Sequence, residues 1–494
     1  MTLGVFGHDF AYEMECIVRL FFPGNKIIIV NQNNFTDNDF VVTQVYPGVG
    51  DKQTIAVRVR IDGFDRTLEA GVSAVASGEL LERKLGAMLF NLLVEKTGKR
   101  PQWGILTGIR PVRLCDKWSC DDGLSDEEIF MKLTNDYLVS PKKAELCLKT
   151  YKSQAKILKG NTKDSFSLYI SVPFCPARCL YCSFVSYTVE KDARLVPEYV
   201  RLLCEEIAYI GEIAKDFKLI LKTVYIGGGT PTILSPSQLE EIFRSIEASF
   251  DMSGVTEYTV EAGRPDTVTV EKLSVMRAFG VNRISINPQS MNAGVLKAIG
   301  RRHGPEEIHA AMELSKQAGF PCINMDVIAG LPSETMQGFT ESIEKVIGFT
   351  PQNITVHTLT VKRSSNMRGD VDAFLSANLE TGAMLDYAIA RLAKRAYLPY
   401  YLYKQKAAVQ NLENIGFSIP GFLSAYNIYS MHDTHTIFAA GAGAVSKICF
   451  NESIDRIFNY KYPSEYIKNF KDVIKRKGAL YATNHPEKIY PASY

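Results

Sequence analysis

Between residues 169 and 182 the chain runs Tyr169-Ile170-Ser171-Val172-Pro173-Phe174-Cys175-Pro176-Ala177-Arg178-Cys179-Leu180-Tyr181-Cys182. An apolar run of strand character ends at a proline, and three thiols, Cys175, Cys179 and Cys182, then fall within one loop. Thiols at this spacing can converge on one metal centre. Where a fourth cysteine would close the set, the chain has Ser183 and Phe184. Three ligands leave one position open for a substrate or cofactor, whereas structural zinc sites are closed by four. Spacing alone leaves iron and zinc open, with inert buried thiols as the plain alternative. A three-thiolate version of an iron–sulfur site exposes one iron.

Outward from this loop, strand and helix patterns alternate. Phe166 to Val172 reads as a strand, Val196 to Phe217 as a helix, and Leu219 to Ile226 as a strand ending at Gly227-Gly228-Gly229-Thr230-Pro231-Thr232. Strands at Thr256 to Ala262, Val281 to Asn287, Phe320 to Ala329 and Asn353 to Leu359 follow. They alternate with helices after Ser235-Pro236 and at Val268 to Phe279, Pro305 to Ala318 and Thr335 to Ile347. This rhythm predicts an α/β fold of βα units around a parallel sheet. Six strands are too few for a closed eight-stranded barrel, and in barrels the chemistry sits at the C-terminal strand ends. The thiol loop follows the first strand, the glycine run the second, Glu261 the third, Gln289 the fourth and Asp326 the fifth. The glycines let backbone approach a ligand closely, having no Cβ to exclude it; a tight turn is the alternative.

At 494 residues the chain predicts two or three domains. Residues 1–160 read as a separate α+β domain of unknown role, 165–360 as the partial barrel, and 361–494 as a C-terminal extension covering the substrate. In the first, Phe10 to Phe22 and Gly78 to Thr97 have helical spacing. Lys26 to Val30, Phe40 to Tyr46 and Gln53 to Ile61 read as strands. Trp103 to Pro111 reads as an ordered loop, with Arg110 a candidate to hold a carboxylate.

Fifty-six basic residues nearly cancel 54 acidic ones, which leaves no general electrostatic case for nucleic acid or anionic membrane. The run Lys468 to Lys477 reads as a solvated helix face. No stretch approaches the ~20 apolar residues that span a bilayer, and Met1 to Phe10 has no leader pattern, so a cytoplasmic location is expected. The other cysteines (Cys16, Cys115, Cys120, Cys147, Cys204, Cys322, Cys449) are scattered, as in a reducing compartment.

The Cys-x3-Cys-x2-Cys loop, with an aromatic residue before its third thiol, is similar to the signature of radical S-adenosylmethionine (SAM) enzymes. The longer string from Tyr169 through Pro173-Phe174 to Tyr181-Cys182 resembles the branch that contains oxygen-independent coproporphyrinogen III oxidase. The resemblance runs strongly from Ser167 to Ser333. It implies a partial (β/α)6 barrel and a [4Fe-4S] cluster on Cys175, Cys179 and Cys182. It also implies SAM contacts from Tyr169, Gly228 and Glu261. A second SAM site, where the branch has one, maps onto Tyr181, Gly229, Thr230, Gln289, Arg301 and Asp326, with Thr360 added from strand pattern alone.

The chemistry so implied is one-electron cleavage of SAM, hydrogen abstraction from a propionate β-carbon of coproporphyrinogen III, and loss of CO2 and one electron to leave a vinyl group. Done twice, this gives protoporphyrinogen IX, with a reductant such as flavodoxin or ferredoxin as partner. Here the protein's part is to hold the reactive atom against the substrate and keep quenchers out. Two departures stand out: the branch has His where this chain has Ser171, and the close-following cysteine of some members is Phe184.

Further on, Tyr400 to Lys406, Asn411 to Phe417, Tyr426 to Tyr429 and Gly441 to Lys447 look like the HemZ-type coproporphyrinogen dehydrogenase subgroup. Lys404, Lys406, Arg363 and Arg302 are candidates to clamp propionates by charge-assisted hydrogen bonds. Tyr403, Tyr426 and Tyr429 are candidates to pack on a tetrapyrrole, although such residues are as readily surface or core. His303, His309, His357, His432 and His435 are weighed as haem ligands against ordinary hydrogen bonding. Competing readings are a HemW-like haem chaperone and a radical SAM enzyme acting on RNA; the missing basic stripe speaks against the latter.

Overall fold

The structure, a computed structural model, describes residues 1–31, 38–108, 110–182, 184, 187–360, 380–405, 408–450 and 453–484. The chain divides into two compact units. One includes Met1–Lys152 and Leu402–Glu413; the other includes residues 153–360, Glu380–Tyr401 and 414–484.

The first unit is built on five strands, β1 (Thr2–Phe6), β2 (Ile28–Val30), β3 (Phe40–Pro47), β4 (Lys52–Ile61) and β5 (Phe64–Ser73), in the order β2-β1-β3-β4-β5. β1 pairs parallel with β2 and β3, and β3, β4 and β5 form an antiparallel meander. Helices Ala11–Phe21 and Gly78–Thr97 bury Met14, Val18, Leu85, Leu89 and Leu93 in one core with Leu3, Val41, Val57 and Val59 of the sheet. The second helix is capped by Ser77, whose side chain accepts from Leu80 N–H, and ends at the left-handed Gly98. The sequence reading lacked β1 and β5. In β5 only Val72 is buried, so an edge strand with both faces wet has no period-two pattern to read.

In the loop after the second helix, Trp103 reaches a carboxylate. Its Nε1 donates to Glu413 Oε2 at 2.6 Å, while Lys143 Nζ donates to Oε1 at 2.6 Å.

The second unit is organised on an eleven-stranded sheet. Its centre is the parallel series β6 (Ser165–Val172), β9 (Ile220–Gly228), β10 (Glu257–Glu261), β11 (Arg283–Ser285), β12 (Cys322–Ala329) and β13 (Asn353–Thr358), adjacent in that order. Each is followed by at least one helix that buries an apolar stripe, as in Val196–Asp216, Pro236–Ser249 and Met336–Gly348. This is the expected six-stranded (β/α) partial barrel. Ser235 and Thr335 cap two of these helices through their side chains, Pro236 and Pro305 stand at the first position of their helices, and Pro197 stands at the second position of another. Two two-residue strands, β7 (Phe174–Cys175) and β8 (Tyr187–Thr188), pair across the thiol loop.

The C-terminal third does more than extend the barrel outward. Its strands β14 (Leu398–Lys404), β15 (Glu413–Ser418), β16 (Thr436–Ala440), β17 (Val445–Phe450) and β18 (Ser453–Phe458) enter the same sheet from both edges. β15 pairs antiparallel with β13, and β16 pairs parallel with β6. The β16 side is anchored by buried Glu206, which accepts from Gly441 N–H (2.7 Å), Tyr466 O–H (2.7 Å) and Asn459 Nδ2 (2.8 Å) and pairs with Lys477 Nζ at 3.0 Å. Among the described residues no helix is long and apolar enough to cross a membrane.

Candidate active site

The thiol loop leaves β6 and is held by the loops after three neighbouring strands. From the β9 side, Gly229 N–H donates to Val172 O and Thr230 N–H to Phe174 O, both at 2.8 Å, and Thr230 Oγ1 lies 3.4 Å from Cys175 Sγ. A Cβ on Gly229 would sit 2.6 Å from Phe174 O and 3.0 Å from Cys175 Sγ, so only glycine lets the two loops lie against each other. From the β10 side, Arg264 donates to Ala177 O at 3.2 Å and approaches Cys179 Sγ at 3.7 Å. From the β11 side, Leu180 N–H donates to Ile299 O at 2.9 Å, and Arg301 reaches Tyr181 Oη at 3.2 Å.

Cys175 and Cys179 are buried and Cys182 is partly so. Burial pushes the Cys182 thiol up to about 11, and the charges of Cys179 and Cys175 add to the rise, so the three sulfurs feel one another's field. Among the described residues no three of His, Cys, Asp or Glu are drawn into a ready coordination set, these thiols included. The surroundings nevertheless suit a group rich in sulfur acceptors. Arg264 Nη2 and Arg301 Nε are buried N–H donors with no partner, beside a loop whose thiols need a positive field to ionise.

The sheet face turned away from the helices carries the remaining candidates. Tyr169 on β6, Tyr225 on β9 and Tyr426 stack with near-parallel rings, Tyr225 and Tyr426 centred 4.4 Å apart and Tyr169 at 6.2 and 6.3 Å from them. Tyr225 O–H donates to Glu261 Oε1 at 2.5 Å. Burial pushes the Glu261 carboxyl up to about 7, against that hydrogen bond, and the nearby charge of Asp326 adds to the rise. Asp326 goes the other way. Burial would raise it, but hydrogen bonding and charge from His357, with Asn324 and Thr355, hold it below the ordinary carboxylate range. Two carboxylates whose environments push them apart are the pattern of a working site.

Gln289 shows where the backbone is under constraint. Its φ is +69°, left-handed for a residue with a Cβ, and it is pinned by Gln289 N–H to Asp326 O and Ile328 N–H to Gln289 O, both 2.9 Å. Asp326 and Gln289 therefore form one unit. Arg301 joins the strand-end loops by donating to Asn287 O (2.7 Å) and Gly263 O (3.1 Å). Thr360 lies just beyond β13, its hydroxyl donating to Thr358 O at 3.3 Å. Tyr181, Gly228, Gly229, Thr230, Glu261, Gln289 and Arg301 thus lie at or beyond the C-terminal ends of parallel strands with the thiols, whereas Tyr169 and Asp326 stand within β6 and β12. Tyr225, Asn324, Arg264 and Asn414 were not singled out from the sequence. Tyr225 carries a signal that could have been used, since it lies two residues before Gly227 and so on the same strand face.

Several tetrapyrrole candidates have other partners. Lys404 is buried, donates to Leu106 O at 2.5 Å and lies 5.4 Å from the Trp103 ring; burial pulls its amine down to about 7 despite Glu413. Arg302 pairs with exposed Glu190. Tyr429 stacks on His435 at 4.0 Å. Arg363 and Lys406 lie outside the described residues. His435 bonds Asn161 and Ser167, His432 bonds Gln154, and His303 bonds Asp266, which is the ordinary hydrogen-bonded alternative to haem ligation. Ser171 Oγ donates to Ala442 O at 2.8 Å, tying β6 to the turn after β16.

Comparison with known proteins agrees with this arrangement. The profile of the Radical SAM superfamily matches residues 169–346. The chain is 36% identical to the oxygen-independent coproporphyrinogen-III oxidase-like protein HemZ of Bacillus subtilis, covering 89% of each chain. It is 33% identical to the heme chaperone HemW of Lactococcus lactis, over 56% of this chain and 68% of that one. Among solved structures it is similar in fold to coproporphyrinogen III oxidase (HemN) from Escherichia coli, a radical SAM enzyme, with a TM-score of 0.51 and 21% identity over 65% of this chain and 72% of that one. Radical SAM proteins use a [4Fe-4S] cluster and SAM, and the loop chemistry described above suits both.

Proposed function

We propose, for a chain that belongs to the radical SAM superfamily and within it to the oxygen-independent coproporphyrinogen III oxidase branch that includes HemZ, that it converts coproporphyrinogen III to protoporphyrinogen IX by oxidative decarboxylation without oxygen. The observation that carries this reading is the extent of the kinship. The similarity to HemZ runs over 89% of both chains, far outside the barrel, whereas the similarity to Lactococcus HemW covers 56% of this one.

On this reading Cys175, Cys179 and Cys182 hold the cluster. Tyr169, Gly228 and Glu261 hold SAM, while Tyr181, Gly229, Thr230, Gln289, Arg301, Asp326 and Thr360 hold a second SAM. When bound, cluster and SAM together supply a carbon-centred radical able to remove a hydrogen atom from a propionate β-carbon, using an electron from a small reductant of the flavodoxin or ferredoxin kind. The chain's own task is positional. Gly229 and Thr230 lock the glycine run onto the thiol loop. The stack of Tyr169, Tyr225 and Tyr426 offers flat apolar rings beside Glu261, to which the Tyr225 hydroxyl donates. Glu261 and Asp326 offer acceptors to a cationic ligand.

A haem-delivery role is the second reading, favoured by matches of 33% and 28% identity to HemW proteins of Lactococcus lactis and Bacillus subtilis. One experiment separates them. Anaerobically reconstituted, reduced protein is incubated with SAM and coproporphyrinogen III, and products are read by mass spectrometry. Two successive losses of CO2 with vinyl formation support the enzyme. Retention of one haem per chain with no vinyl product overturns it in favour of the carrier.

A further inference from the structure

His357, on the last parallel strand, is a titratable side chain that the cofactor reading leaves unused. Its Nδ1 lies 3.3 Å from Asn414 Oδ1, and that same oxygen accepts Thr358 N–H at 3.0 Å. A backbone N–H can only donate, so the Asn414 atom facing both groups is its carbonyl oxygen, and Nδ1 must carry a hydrogen. On the other side of the ring, Nε2 faces Asp326 Oδ2 at 3.6 Å. An acceptor at each nitrogen selects the doubly protonated imidazolium.

Asp326 is itself braced, its Oδ1 accepting from Asn324 Nδ2 at 2.8 Å. Asn324 is fixed in turn by Ser285 Oγ (2.6 Å) and by Thr355 Oγ1 (3.1 Å). Among the described residues, the field of Glu261 on β10 reaches this Asp326–His357 pair, and that of Asp326 reaches the phenol of Tyr225 on β9. Take the imidazolium away, and two carboxylates on one sheltered face compete for a single proton. The electrostatics agree: burial alone would lower His357, but the hydrogen bond and charge of Asp326, then Asn414, raise it above an ordinary histidine.

We infer that His357 is a positioning residue for SAM: as an imidazolium bridging Asp326 and Asn414, it keeps Asp326 an anion available to the cationic cofactor at neutral pH. This rests on the reading above that assigns Asp326 to SAM, and it adds a residue to which neither the resemblance nor the sequence gave that role.

The test is equilibrium binding of SAM to anaerobic, cluster-loaded protein, with S-adenosylhomocysteine, which lacks the sulfonium charge, as the comparison ligand. Wild-type protein should gain some SAM affinity from about pH 6 to pH 9 as Glu261 loses its proton, so each variant is compared with wild type at the same pH. His357→Gln and His357→Asn should bind it about tenfold more weakly near pH 6 and regain affinity near pH 9, as Asp326 loses its proton. S-adenosylhomocysteine should show a smaller change. Asp326→Asn should be weakened at every pH with no recovery. Iron content and melting temperature report whether each variant is folded. If both His357 variants bind as wild type does, or are weakened equally at all pH values, the inference is overturned. Should His357→Gln fail to fold, His357→Asn alone carries the same comparison. Wild-type protein that shows the pH pattern but forms no vinyl product would overturn the decarboxylase reading and leave this inference standing. Wild-type protein that binds no SAM would overturn both.

Discussion

Replacing Gly229 with alanine should damage the site in a way that can be worked out from its surroundings. The new methyl would lie 2.6 Å from Phe174 O and 3.0 Å from Cys175 Sγ. Comfortable separations between such atoms are about 3.5 Å or more, so the two loops must part by roughly 0.5–1 Å. Neither neighbour is the loose end of a flexible side chain; one is backbone and the other a buried thiol. Overpacking of this kind costs ~1–3 kcal/mol. The motion also stretches two 2.8 Å hydrogen bonds, Gly229 N–H to Val172 O and Thr230 N–H to Phe174 O, each worth about 1 kcal/mol. A loss of about 2–4 kcal/mol is expected in urea unfolding of the protein before cluster reconstitution. Because Cys175 moves with Phe174, iron per chain after reconstitution should also fall. Gly98→Ala is the matched control: its φ is +68° and nothing lies within 4 Å of the added methyl. It should cost about 1 kcal/mol of backbone strain and leave iron content alone. Full iron loading and unchanged stability in Gly229→Ala would refute the claim that the glycine run and the thiol loop are built against each other.

Three further outcomes are expected. Serine at Cys175, Cys179 or Cys182 should each reduce iron binding on reconstitution, whereas serine at Cys204 should not, as iron and sulfide counting would show. Glu206→Ala removes the partner of buried Lys477 and the acceptor for Gly441, Asn459 and Tyr466, and should cost about 3–5 kcal/mol in chemical unfolding; a loss below about 1 kcal/mol would count against the anchor. Glu261, pushed up to about 7 from the ordinary 4.5 chiefly by burial, favours the fold when protonated. In protein without SAM its stabilising contribution is therefore full below about pH 4.5 and lost as pH rises through about 7. Glu261→Gln should flatten that decline and melt above wild type near pH 8, by an amount on the order of 1–2 kcal/mol given its partial exposure.

How much was legible can be argued from single elements. The alternation from Phe166 to Leu359 identifies the six strands of the central series β6 to β13, with ends within two residues, because each strand is buried and each following helix carries one apolar stripe. β5 was missed for the converse reason: its side chains face water on both sides. Lys404 is in the sequence a candidate propionate clamp beside the alternative of an ordinary surface or core residue, since a lysine in a polar-aromatic string suits either. Only the contacts with Leu106 and Trp103 show it to be internal. His357 is weighed in the sequence as a haem ligand against an ordinary hydrogen-bonded residue, with no partner named, because nothing local to Thr355-Val356-His357 announces Asp326 or Asn414.

By itself the sequence determined the thiol spacing, the glycine run, the strand–helix rhythm and thus the family of folds, since all of these are encoded within a few residues of one another. Tertiary structure alone decided that strands of the C-terminal third enter the sheet at both edges. It also decided that Tyr426 completes a stack with Tyr169 and Tyr225, and that Glu261 and Asp326 have opposite tendencies to hold a proton. Those properties depend on burial and on rings and charges brought together from positions as far apart as Tyr169 and Tyr426, and electrostatic energy is set by distance in space rather than along the chain.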